Sequence, residues 1–161
     1  MDAIDLLKQQ HREALSLLER LEGTAARRSS ARSELFEQLR DALTLHTKIE
    51  EEVFYPALEN FTETSALIKE SYAEHRHVDE LLERMSSAEQ ANNTDWPQLL
   101  AELKRAVTHH VDEEENQLFP QAARLLTRDQ LADMTNEMRG IRTRQSSEDQ
   151  LIYPAARLGR P

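Results

Sequence analysis

Cysteine is absent from the chain. That excludes disulfides, thiolate metal ligands and a cysteine nucleophile. Three glycines and five prolines among 161 residues leave little material for sheet-and-turn architectures, and the abundance of Leu, Glu, Ala and Arg favours helices. Aromatic side chains are 5 % of the chain, so aliphatic residues must supply most of the core. No apolar run approaches the roughly 20 residues that span a bilayer. The net charge of −10 disfavours nonspecific binding to nucleic acid or anionic lipid, both of which want a basic face. Met1 to Asp5 lacks the basic-then-apolar order of a signal peptide. The expectation is a soluble cytoplasmic protein, monomer or homodimer, with neither a nucleic-acid nor a membrane partner.

What the chain does have is a repeat. His46, Glu50 and Pro56 recur 64 residues later as His110, Glu114 and Pro120. The same offset carries His11 onto His75, and the run Leu17, Leu18, Glu19, Arg20 onto Leu81, Leu82, Glu83, Arg84. A period that long, present twice, is an internal duplication rather than a solenoid.

Steps of three and four apolar residues predict four long helices. The first runs from Ile4 to just before Gly23, with an inward seam of Ile4, Leu7, His11, Ala14, Leu18 and Leu21. Gly23 suits a left-handed position after the helix end. The second starts near Ala31, with Phe36, Leu39, Leu43, His46, Glu50, Val53 or Phe54, and Ala57 inward; Pro56 is expected to kink or stop it. The third spans about Ala66 to Ala88, with Ile68, Tyr72, His75, Val78, Leu82 and Met85 inward. A polar loop from Glu89 to Asp95 leads to the fourth, about Trp96 to Leu126, whose seam is Leu100, Leu103, Val107, His110, Glu114, and Gln117 or Leu118. Thr127 and Gln130 form a capping-box pattern that predicts a short fifth helix. The tail from about Thr143 to Pro161, including Leu151, Ile152 and Tyr153, has no evident place. The fold class is therefore all-α: an up-down-up-down four-helix bundle over residues 1–126 with a pseudo-twofold repeat, then a C-terminal helix and tail over 127–161 packed on it or trailing from it.

Each seam is apolar except near its middle, where His11, His46 with Glu50, His75, and His110 with Glu114 stand. Two carboxylates in a bundle core are costly unless paired or bound to metal, and no Lys or Arg shares these seams. Residues four apart share a helix face. Six protein ligands suffice for two metal ions if Glu50 and Glu114 bridge them, His11 with His46 holding one ion and His75 with His110 the other. Oxo or hydroxo bridging would complete the coordination. Iron, manganese and zinc all accept such ligands. His109 with Glu113, and His77, compete by spacing, but the repeat selects His110, Glu114 and His75. His77 and His109 are then expected to be partly exposed or to support the ligands. Glu51, Glu52, Glu113 and Glu115 are expected on solvated faces. Phe54 and Leu118 are expected in the core, able also to wall the pocket.

The order His11, His46-x-x-x-Glu50, His75, His110-x-x-x-Glu114, together with the phrases Glu51 to Pro56 and Glu113 to Pro120, resembles the hemerythrin-like, HHE cation-binding domain family over roughly Asp5 to Leu126. The resemblance implies two iron ions in a non-haem di-iron centre that binds O2, peroxide or NO. Oxygen-carrying members have a fifth histidine one turn from the third-helix ligand; here Ser71 and Asp79 stand at those positions. That departure argues against simple O2 carriage and favours catalase-like peroxide decomposition in oxidative or nitrosative stress, or redox sensing. Asp79 is read as solvated rather than a ligand. Tyr55 is read as a core or supporting residue, with a phenolate ligand as its alternative. Reversible O2 or iron storage and a metal-free helical adaptor are the other functional readings. A ferritin-like bundle needs two Glu-x-x-His pairs, and the chain offers one, Glu74 with His77.

Overall fold

A computed structural model describes residues 1–91 and 94–152. The expected all-α architecture is present: α1 (Ala3–Glu22), α2 (Ser30–Ile49), α3 (Tyr55–Leu58), α4 (Ser65–Gln90), α5 (Trp96–Glu113), α6 (Phe119–Leu125) and α7 (Arg128–Ile152). Two π-helical turns, Glu50–Phe54 and Glu114–Leu118, join α2 to α3 and α5 to α6 without a break. The four long rods are therefore α1, α2 with α3, α4, and α5 with α6. Among the described residues no helix is long and apolar enough to cross a membrane. Asn92, Asn93 and the expected tail residues Tyr153 to Pro161 lie outside the described residues.

Local chemistry explains the ends. Asp2 and Asp5 close a reciprocal capping box at the start of α1, and the Ser29 hydroxyl accepts from the Arg32 amide at the start of α2. Gly23 does not take the expected left-handed conformation; its φ is −65°. The Thr24 hydroxyl and amide both donate to the Leu21 carbonyl there, so the end is closed without a positive φ. Thr127 and Gln130 form the expected box, each backbone amide meeting the other's side chain. The helix they start is not short, however: α7 has 25 residues. Ser146 and Ser147 donate to the carbonyls of Arg142 and Thr143 in its later turns.

The prolines do not stop their helices. Proline lacks an N–H and its ring collides with the carbonyl four residues back. Ahead of Pro56 and of Pro120 the ladder widens, so that Tyr55 N–H donates to the Glu50 carbonyl and Phe119 N–H to the Glu114 carbonyl, five residues back. Each bulge moves every later side chain by one position. Hence Leu58 is buried and Ala57 exposed, and Leu118 is buried while Gln117 is exposed. Of the expected pair Gln117 or Leu118 it is Leu118 that faces inward; the expected Ala57 seam position follows from an unbroken 3.6-residue period, which the bulge interrupts.

Two apolar clusters fill the bundle. One contains Leu18, Leu39, Val78, Leu82, Trp96 and Leu103. The other contains Leu7, Phe54, Ile68 and Phe119, together with Leu131, Met134, Met138 and Ile141 of α7. Between them lies a buried polar layer. At the far end of the first cluster, Arg32 is 5 % exposed. It donates to Glu89 and to the Ala25 carbonyl, and lies 4.3 Å from the Trp96 ring centroid.

Candidate metal centre

The polar layer consists of His11, His46, Glu50, His75, His110 and Glu114, all buried, with Glu50 fully so. Four helical rods each bring one histidine inward, and the two that carry π turns bring a glutamate four residues later. All six residues singled out in the sequence meet there.

The carboxylates lie between two histidine pairs. Glu50 Oε1 is 3.0 Å from His46 Nε2 and 3.9 Å from His11 Nε2, while its Oε2 is 3.0 Å from His75 Nε2 and 3.7 Å from His110 Nε2. Glu114 Oε2 is 3.1 Å from His11 Nε2, and its Oε1 is 3.5 Å from His110 Nε2. Each carboxylate thus presents one oxygen to each pair. Within the second pair, His75 Nε2 and His110 Nε2 are 3.2 Å apart. Ligand atoms on one ion, at metal distances of about 2.0–2.2 Å, lie roughly 3 Å from each other.

The donor set fits a metal on a further count. His11 Nε2, His46 Nε2, Glu50 Oε1 and Glu114 Oε2 are buried and make no hydrogen bond. They lie close together yet are not aimed at one another, as atoms directed at a common point would be. Buried polar atoms otherwise find partners, and a cation supplies one for all four. The second pair differs, because Tyr55 reaches it. Its fully buried hydroxyl lies 2.5 Å from Glu114 Oε1, 3.0 Å from Glu50 Oε2 and 3.1 Å from His75 Nε2, and Ser71 also hydrogen-bonds it. The residue 64 positions on is Phe119, which stacks on His11 at 5.6 Å with ring planes 6° apart.

An outer ring orients the imidazoles. His11 Nδ1 meets Glu115 at 2.9 Å and His75 Nδ1 meets Glu51 at 2.8 Å. His46 Nδ1 meets Gln10 at 2.9 Å and His110 Nδ1 meets Glu74 at 3.0 Å. Such partners fix which ring nitrogen faces a metal and raise its basicity. Glu51 and Glu115, expected on solvated faces, are 41 % and 34 % exposed and each also holds a buried ring. The repeat carried the signal, since Gln10 and Glu74, and Glu51 and Glu115, are 64 apart. Asp79 is exposed and outside the cluster, as is His77. His109 is exposed and lies 3.1 Å from Glu74 and 3.3 Å from Glu113.

The electrostatics describe a site that holds protons when it holds no cation. Burial opposes a charge on His11, His75 and His110, but Glu114 and Glu50 outweigh it, and all three pKa values are raised, His110's well above the usual range. Burial prevails at His46, whose pKa is lowered. Burial would raise Glu50, yet His46, His110 and His75 hold it well below its ordinary value. Burial, then Glu50 and Glu114, push the Tyr55 phenol well above 10.0.

Residues 2–122 match the hemerythrin HHE cation binding domain family. The chain belongs to that family. Uncharacterised proteins of Mycobacterium tuberculosis and Mycobacterium bovis are 31 % identical over 121 residues, 74 % of this chain and 71 % of theirs. The crystal structure of a hemerythrin HHE cation binding domain-containing protein from Mycobacterium kansasii is similar at a TM-score of 0.79 and 26 % identity, covering 95 % of this chain and 91 % of that one. The hemerythrin HHE fold and the buried His/Glu cluster together fit a metal site.

Proposed function

We propose that this hemerythrin-like chain holds two iron ions and decomposes peroxide. The observation that carries the reading is the sharing of Glu50 and Glu114 between two histidine pairs, one oxygen of each carboxylate to each pair. His11 and His46 would hold one ion, His75 and His110 the other, with both carboxylates bridging. Iron is taken from the family; the ligand set is equally compatible with manganese. Bound iron would supply one-electron chemistry and exchangeable positions for O2, peroxide or NO.

The chain's own residues set the conditions. Each ion would draw two imidazoles and two carboxylate oxygens from the protein, which leaves positions open. Ser71 and Asp79 add no histidine one turn from His75. Ser71 instead hydrogen-bonds Tyr55, whose phenol points at the carboxylates. A buried phenol beside both glutamates can hand a proton to a small ligand. Phe119, stacked on His11 with Phe54 edge-on against it, covers one side of the cluster with apolar rings. Stress defence, or oxygen and redox sensing, in the cytoplasm is the role this chemistry suits.

The test is iron content with peroxide turnover. Protein purified without chelator is expected to hold about two irons per chain and to evolve O2 from peroxide, and a His46→Ala, His110→Ala double variant to lose both. Stoichiometric iron with a stable, reversible O2 spectrum and no turnover would select a carrier. No metal after anaerobic loading would sink the reading.

A further inference from the structure

The duplication provides a comparison within the molecule. In the first half, the groove between α1 and α2 carries Leu6, Leu45 and Ile49, which join the apolar cluster of Leu131, Met134, Met138 and Ile141 on α7. In the second half the same positions, 64 residues on, are Glu70, His109 and Glu113. Here the groove between α4 and α5 is an open cavity of about 330 Å3, lined among others by Glu70, Glu74, His77 and His109. Three apolar residues under a covering helix have become two carboxylates and an imidazole in the open.

These groups are not simply a solvated acidic face. Ligand atoms of Glu70, His109 and Glu113 all lie within 4.8 Å of one another. His109 Nε2 stands 3.1 Å from Glu74 Oε2 and 3.3 Å from Glu113 Oε2. Both of those oxygens are buried and make no hydrogen bond, although the Glu113 side chain as a whole is 11 % exposed. The spacing resembles that of the inner cluster, with two buried carboxylate oxygens about 3 Å from an imidazole nitrogen that is here exposed. Ligand spacings of roughly 3 Å match one ion held at about 2.0–2.2 Å.

We propose that Glu70, Glu74, His109 and Glu113 form an outer site for one divalent first-row metal ion in the open groove between α4 and α5. Three carboxylates and one imidazole suit zinc, manganese or ferrous iron, and the exposed His109 leaves room for water on the ion. The site is joined to the inner cluster through one side chain. Glu74 Oε2 faces the outer groove while its Oε1 meets His110 Nδ1. An ion on Oε2 draws charge away from Oε1 and weakens its hold on the His110 ring, so occupancy of the groove is felt inside. No equivalent link exists on the other half among the described residues, where Gln10 stands in place of Glu74 under α7.

The experiment is a zinc titration by calorimetry of the iron-loaded protein, beside a His109→Ala, Glu70→Gln variant and a control variant, Glu37→Gln, on a distant exposed acid. The wild type and the control are expected to take up one zinc per chain beyond the inner metal. The groove variant is expected to bind that zinc at least 10-fold more weakly, with its iron content unchanged. Equal zinc binding by the groove variant, or an equal loss in the control, would overturn the site. The same titration on protein that accepts no iron separates the two proposals, since the outer equivalent depends on His109 and not on His46.

Discussion

Replacing Tyr55 with phenylalanine tests the electrostatic reading of the metal-free centre with almost no change of volume. The phenol carries one proton, and its nearest acceptor is Glu114 Oε1 at 2.5 Å. A hydrogen bond to a charged acceptor contributes about 1.5–3 kcal/mol, and the Ser71 hydroxyl that loses its partner adds about 1 kcal/mol. The expected loss is thus roughly 2–4 kcal/mol. For a chain of this length, about 2–4 °C of Tm per kcal/mol gives a fall of roughly 4–16 °C. The assay is thermal unfolding of chelator-treated protein, followed by circular dichroism. On metal-loaded protein the penalty should shrink to less than half, because a cation then faces the same carboxylate oxygens. An unchanged Tm in the metal-free variant, or an equal loss with and without metal, would refute the claim that buried carboxylates lacking donors govern this site.

Glu51→Ala and Glu115→Ala should each weaken metal binding about 10-fold, the low end of the effect of orienting partners, because both carboxylates are partly exposed; competition with a chelator measures it. Metal-free stability should fall as pH rises above 6.5. The raised values of His11, His75 and His110 mean that their contribution is complete below 6.5 and is lost as pH rises through the folded values. Glu50, held low, contributes above 4.5 and loses that contribution as pH falls through its folded value, while the lowered His46 weakens the fold as pH falls through 6.5. Urea midpoints across pH read the net of these, and metal content should run the opposite way, falling on acidification as protons displace metal. Arg32→Ala should cost roughly 2–3 kcal/mol, since it removes the buried cation from Glu89, leaving it Ser33 and Arg28, and uncovers Trp96, yet leave metal content intact; denaturant unfolding and elemental analysis check both halves.

Helical periodicity located the inward faces of all four rods as far as Glu50 and Glu114, because an unbroken 3.6-residue period holds that far. Beyond them it placed Phe54 and Leu118 in the core, where they are, but put Ala57 inward where Leu58 stands. Nothing in Glu51 to Phe54 reveals a π turn, and the proline that accompanies each one reads equally well as a stop. Tyr55, five residues after Glu50, was legible as a core or supporting residue but not as the side chain whose hydroxyl meets Glu50, His75 and Glu114. The ring of Gln10, Glu51, Glu74 and Glu115 escaped a reading based on burial, since these side chains are partly exposed. A buried imidazole has two nitrogens, and counting a partner for the second would have pointed outward to them. The length of α7 was hidden for another reason. Its last turns have no apolar stripe, and they rest on the helical propensity of residues such as Arg, Gln and Glu.

The two π turns also order events in the history of the chain. An extra residue at the same place in both halves, each ahead of a matching proline, is most simply inherited from a single ancestral helix pair. The widened turn is then older than the duplication. Tyr55 against Phe119, Glu74 against Gln10, and Glu70 with His109 against Leu6 with Leu45 are differences between the copies and so arose after it. The ancestral unit would have closed its site by pairing with itself, with both ion positions identical. Fusion freed the halves to diverge, one accepting a covering helix and the other keeping an open, charged flank.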